Sequence, residues 1–297
     1  TDALSTWCAD RAVAVVIRSI GTGNNRFPHT GTVNYNISQP RIPAVALSNP
    51  DADALERQLA SGREVRVRFR VTARDLPQVR SANVIAEFPG TDRAEEIVLV
   101  GAHLDSWDAG TGALDDGAGV AIAMMAAKLA AQAQPRPRRT IRVVLFANEE
   151  FGLSGANRYP VAEGDAVARH AVAMEADAGA GPVWRIGGQL APADRPLLRR
   201  IQKALGPLGV EPGDDSIFAG PDLQPLRRLG VPLLAPELDA STYFDHHHSA
   251  NDTLDLNGIR LDQPTDALYK LTMGVAEGRL DKAAVTAGLR RIAMEKT

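Results

Sequence analysis

Five stretches of the chain carry side chains that hold cations or move protons. "IVLVGAH" closes on His103, with Asp105 two residues further on. "DSWDAGTGALDDGAG" brings the pair Asp115-Asp116, "RVVLFANEE" the pair Glu149-Glu150, and "AVAMEAD" passes Glu175 to reach Asp177. "YFDHHHSANDT" holds His246, His247 and His248, three of the six histidines of the chain. Imidazole mixed with carboxylate, with no thiolate among them, is the donor set zinc takes when cysteine does not hold it. Each element alone has an ordinary explanation: a histidine after a strand is a hydrogen-bonded turn residue, "DDG" a turn, "EE" a solvated helix-start charge. Carboxylates gathered at one place repel one another unless a cation neutralises them, so the set as a whole points to a metal site.

Gathering requires elements that deliver these residues to one edge. From about Ser81 the chain alternates apolar runs ("NVIAEFPG", "EIVLVGAH", "TIRVVLFANEE", "AVAMEADAG") with helical stretches such as "GVAIAMMAAKLAAQA". Continuous apolar strands between helices predict a mostly parallel central sheet flanked by helices, an α/β fold. In such a sheet, ligands bind beyond the carboxyl ends of the strands, where these polar residues stand. The preceding part reads as a smaller β-rich unit: strands over 11–20 and 42–48, a short helix after Asn49-Pro50 that ends at Gly62, and a strand in which Val65, Val67, Phe69 and Val71 alternate with polar residues. The expected division is 1–75 and 76–297.

Composition sets the outer bounds. At 297 residues with 44% apolar content, the chain can bury a proper core. A net charge of -3 gives no basic footprint for nucleic acid, and no apolar run reaches the ~18 residues of a membrane span. Cys8 is the single cysteine, which excludes an intrachain disulfide. Thr1-Asp2-Ala3-Leu4-Ser5 lacks the regions of a signal peptide, so either the protein is cytosolic or its leader is missing.

"GAHLDSWDAGTGALDDGAG", "FANEEFGLSGA", "MEADAG" and "HHSANDTLD", in that order, resemble the motifs of the aminopeptidase-type metallopeptidases with two co-catalytic zinc ions, in particular the carboxypeptidase Q-like branch. "FPHTG" (27–31) resembles part of the protease-associated domain found in that branch, which makes 1–75 a partial protease-associated-like domain and 76–297 the peptidase domain. The resemblance implies two Zn2+ per chain. It gives His103 and Asp177 to one ion, Glu150 and His248 to the other, and Asp115 to both. It makes the Asp105 carboxylate the group that orients the His103 imidazole. His248 is selected because the family's histidine directly precedes Ser or Thr in an H-[ST]-x-x-[DE]-T pattern. Glu149 resembles the general base that takes the proton of a zinc-activated water.

Many relatives place a tyrosine just before that last histidine. Here the position is His247, read as a feature of the branch and as a candidate donor to the oxyanion. The chain also starts inside the front unit, without the helices expected before it. Asp222 in "GPDLQPLRRLGVP" matches a segment close to the site in relatives and equally fits a helix N-cap. Glu175, Tyr243 and Asp245 are candidates for binding a free amino group or for supporting loops. The implied activity is hydrolysis of dipeptides or short peptides with a free N-terminus, in a secreted or periplasmic setting. A homodimer is compatible with the resemblance but has no motif behind it. The alternatives are a glutaminyl cyclase-like acyltransferase with one zinc, and a non-catalytic receptor or scaffold with a decayed site.

Overall fold

A computed structural model describes residues 14–253 of the chain, apart from 22–23, 34–41, 69, 73 and 75. These residues divide into two compact units. One holds 14–80, Trp107–Thr111 and 241–253; the other holds Ser81–Ser106 and Gly112–Ala240.

In the first unit, β1 (Val15–Arg18) pairs in parallel with β2 (Ala44–Leu47), and α1 (Asn49–Ala60) follows. The Ser48 hydroxyl caps α1 by accepting from the Asp51 N–H, and Pro50 occupies the first turn, where its missing N–H costs nothing. The alternation at 65–71 forms no strand among its described residues, although Val65, Val67 and Val71 have the right spacing. Alternation marks a face, but a strand also needs a neighbour to accept its N–H groups.

The second unit is built on a seven-stranded sheet: β3 (Val84–Phe88), β4 (Arg93–His103), β5 (Arg139–Phe146), β6 (His170–Glu175), β7 (Val183–Gln189), β8 (Glu211–Pro212) and β9 (Leu233–Leu238). Its order is β3-β5-β4-β6-β9-β7-β8. The central strands β5, β4, β6 and β9 are mutually parallel, while β3 runs antiparallel to β5, and β7 runs antiparallel to β9 but parallel to β8. The sheet is therefore α/β and mixed, with its parallel part where the acidic strand ends are.

Among the described residues this unit has four α-helices: α2 (Gly117–Ala131), α3 (Ser154–Glu163), α4 (Arg195–Leu205) and α5 (Gln224–Arg228). Along β4, Val98, Val100 and Ala102 join α2 and α4 in one apolar cluster, whereas Ile97 and Leu99 join α3 and α5 in another. Successive side chains of a strand point to opposite faces, so two clusters mean two covered faces. That explains the continuous apolar runs. No helix among the described residues is long and apolar enough to cross a membrane.

Candidate metal centre

Parallel pairing brings the strand ends together. His103 stands opposite Phe146 across the β4–β5 ladder, and Gly101 stands opposite Glu175 across β4–β6. The chain beyond each strand is thereby released at the same edge.

The His103 ring is buried. Its Nδ1 donates to the main-chain carbonyl of Asp105 at 2.9 Å, which leaves Nε2 facing the acids. Nε2 lies 3.2 Å from Asp115 Oδ1 and 3.6 Å from Asp177 Oδ1. The expectation that the Asp105 carboxylate orients this imidazole is corrected: the main-chain carbonyl takes that bond. The carboxylate is 3.9 Å from Nδ1 and accepts the N–H groups of Glu149 (2.9 Å) and Glu150 (3.2 Å). One residue thus holds the histidine and the paired glutamates in a common frame.

The glutamate loop leaves β5 through Asn148, whose φ of 62° turns the backbone through the left-handed region. Asn83 braces both ends of that loop: its Oδ1 accepts from Ala147 N–H and its Nδ2 donates to Gly155 O, each at 3.0 Å. On the other side of the cluster, Asp116 is the N-cap of α2. It accepts from Gly119 N–H at 3.1 Å and from His103 N–H at 3.0 Å, tying the helix start to the end of β4. The Asp115-Asp116 peptide bond is cis.

Electrostatically the cluster is loaded toward the anion. Burial alone would lower the pKa of His103, but hydrogen bonds to Asp115 and Asp177 and the charge of Asp116 carry it well above the ordinary imidazole value. Burial first, then Asp177, Asp222 and Glu150 against the opposing pull of His103, pushes Glu149 up to about 8. Asp177 and Asp116 are also raised, chiefly by burial. Two sets of ligand atoms each lie within 4.8 Å of one another: His103, Asp115 and Glu150, and His103, Asp116 and Asp177. An imidazole Nε2 that faces carboxyls whose pKa values are raised by burial and by one another fits a divalent cation such as zinc, which would take the place of the Nε2 proton and relieve that repulsion.

Behind this edge lies a second acidic pair. Glu175 and Asp222 are both buried, and none of their carboxylate oxygens has a hydrogen-bond partner among the described residues. Burial raises both; Asp222 rises to about 7, with Glu175 and His103 opposing. Gly220 permits the approach: its φ is +95°, and a Cβ there would stand 1.9 Å from Glu175 Oε2. Asp222 is not a cap, since the N-cap of α5 is Leu223.

The histidine run belongs to the first unit. Tyr243–Asp245 forms a single 3-10 turn, and the N–H groups of His246 and His247 both donate to Tyr243 O. The Tyr243 ring lies 4.8 Å from that of His247. His247 stacks on His248 with 3.5 Å between ring centroids, and His248 is 5.3 Å from Trp107. His246 turns elsewhere, its Nδ1 3.1 Å from Asn251 Nδ2. The three histidines are thus not equivalent, as a merely solvated run would be. His248 alone has positive φ, at 54°.

Asn83, the cap role of Asp116 and the loop contact of Trp107 were not read from sequence. The signal for Asp116 was available, because an aspartate followed by Gly-Ala-Gly at the head of an apolar helical run is an N-cap pattern.

Residues 83–271 match the model of peptidase family M28. Mouse carboxypeptidase Q is 35% identical over 248 residues, which are 82% of this chain and 52% of the mouse protein. The chain therefore spans about half the length of the curated relatives it matches. The crystal structure of a peptidase M28 precursor from Shewanella amazonensis SB2B is similar with a TM-score of 0.82 and 41% identity, covering 93% of this chain and 63% of that one. An aminopeptidase from Aneurinibacillus sp. strain AM-1 shares the fold with a TM-score of 0.54 and 21% identity, covering 91% of this chain and 65% of that one. Because the family match takes in every acidic strand end described above and the histidine run as well, the chain belongs to peptidase family M28.

Proposed function

We propose that the chain carries the catalytic apparatus of a zinc-dependent exopeptidase that hydrolyses dipeptides or short peptides with a free N-terminus. The observation that supports this most is the cluster of buried His103 and Asp115 with half-buried Asp177 and Glu150 at the parallel strand ends, inside the family match. In this reading, 76–297 is the peptidase domain and 1–75 a partial protease-associated-like domain. Two zinc ions belong to the same reading: His103 and Asp177 would hold one, Glu150 and His248 the other, and Asp115 would serve both. Bound zinc supplies Lewis acidity, lowering the pKa of water and polarising a peptide carbonyl.

The protein groups do the rest. Glu149, raised to about 8 without metal, keeps its proton at neutral pH in the empty cluster; with cations relieving that repulsion it would be free to take a proton from the attacking water and return it to the departing amine. Asp105 holds Glu149 and Glu150 by their N–H groups, so the two neighbouring acids keep separate directions and separate tasks. His247 donates to the developing oxyanion. Tyr243 and Asp222 belong to the surroundings of the substrate. The likeness to carboxypeptidase Q supports a peptide as partner; a secreted or periplasmic setting, with no nucleic-acid partner, belongs to the same proposal. A homodimer is compatible with this.

The test is hydrolysis of Leu- and Ala-containing dipeptides, with cyclisation of an N-terminal glutamine peptide run in parallel. The proposal expects dipeptide cleavage that a chelator abolishes and zinc restores. Cyclisation without cleavage would support the acyltransferase instead, and neither reaction in the zinc-loaded protein would leave the scaffold reading.

A further inference from the structure

The loop Phe244–His248 is held from outside by one short segment near the start of the first unit. His29 Nε2 donates to Phe244 O at 2.6 Å. Asn25 Nδ2 donates to Asp245 O at 3.3 Å. Thr30 directs both its N–H, at 2.7 Å, and its hydroxyl, at 2.9 Å, to the single carbonyl of His248. Gly21 lets the segment approach, because a Cβ there would lie 2.7 Å from Phe244 O. Three side chains and a main-chain N–H from "NRFPHT" thus meet the carbonyls of one loop some 220 residues away in sequence.

His248 needs such a hold. Its φ of 54° lies in the left-handed region, which a residue with a Cβ occupies at a cost and keeps only where its surroundings over-determine it. Within the loop, Ser249 N–H and hydroxyl both donate to His246 O, and Asn251 donates to Asp245 O. These bonds fix the residues on either side of His248. The carbonyl of His248 itself receives the two Thr30 donors, and that carbonyl sets the peptide plane from which the side chain is aimed.

We propose that Thr30 is a positioning residue for the His248 imidazole, with His29 and Asn25 as the rest of the latch, so that the front segment tunes the affinity of one metal site. This rests on the reading of His248 as a ligand. A group that orients a ligand acts on the affinity of the ion that ligand holds and on its coordination geometry, and leaves the other ion alone.

The experiment is titration of the metal-free full chain with Co2+, followed by its visible absorption, for wild type, Thr30→Val, Thr30→Ser and His248→Ala. The expected result is that Thr30→Val weakens one of two cobalt sites by about tenfold and changes the absorption band of that site, while Thr30→Ser, which keeps a hydroxyl, stays near wild type. If Thr30→Val titrates like wild type while His248→Ala loses one ion, the latch is wrong and the ligand reading stands. If His248→Ala still binds two ions, the ligand reading fails and takes the latch with it. Equal weakening of both sites by Thr30→Val would mean a general structural role and would also overturn the proposal. His29→Ala, which removes a donor from the same loop without touching Thr30, is judged by the same outcomes should Thr30→Val fail to fold.

Discussion

Glu149 and Glu150 are adjacent in sequence and share the Asp105 carboxylate as an anchor, yet they are assigned different work. Glu149→Gln preserves size but removes the proton acceptor, so turnover should fall by at least ~10²-fold with metal content unchanged. Glu150→Gln should weaken metal binding instead; elemental analysis beside steady-state kinetics separates the two, and exchanged phenotypes would mean the register is off by one. A second residue-level consequence concerns pH. Folding raises Glu149 from an ordinary 4.5 to about 8 and Asp222 from 3.8 to about 7, chiefly through burial. Between those limits the folded, metal-free protein keeps protons that the unfolded chain has released, so each step up in pH favours unfolding. His103, whose pKa is also raised, acts in the same direction above its ordinary value. The chelated protein should therefore lose thermal stability steadily from about pH 4 to about pH 8. Stabilisation by added zinc should grow over the same range, because binding expels those protons. A melting temperature that rises with pH in the chelated protein would contradict this.

At the scale of elements, the acidic residues converge because β4, β5 and β6 are parallel neighbours and because α2 starts on Asp116, which also holds the end of β4. That much was legible: the runs ending at His103, Phe146 and Glu175 are long and apolar, and only a doubly covered sheet accounts for them. The strands β7, β8 and β9 were not. β7 is interrupted by Gly187-Gly188, β9 contains Pro236 and β8 has two residues, so none shows a sustained apolar period. The alternation at 65–71 misled in the opposite sense, because pairing is a property of two segments. Far from the acids, α3 is tied to the sheet by a polar chain no sequence period announces. Arg142 Nη1 donates to Tyr159 Oη at 2.6 Å, and Tyr159 Oη donates to His170 Nε2 at 2.8 Å. His170 Nδ1 in turn donates to Val167 O at 3.0 Å. Burial keeps His170 below its ordinary pKa, so the neutral ring can accept. Tyr159→Phe would leave a buried imidazole nitrogen and part of a guanidinium without this partner. Urea unfolding should show a loss of roughly 1–3 kcal/mol, and no change in midpoint would mean the chain of bonds is incidental.

For the whole molecule, the order of motifs along the sequence carried the family, and the match over 83–271 agrees with it. The motifs named donor residues because metal ligands must be of a few types at fixed strand ends. They did not disclose the cis Asp115-Asp116 bond, the double use of Asp105 or the positive φ of His248, since each depends on where the backbone is held rather than on residue type. The central proposal is that the chain holds two zinc ions. Its most direct test is the zinc content of the purified full chain, taken together with dipeptide hydrolysis on the same sample. The account predicts two zinc ions per chain in the active protein. A chain that cleaves dipeptides while holding at most one would contradict it.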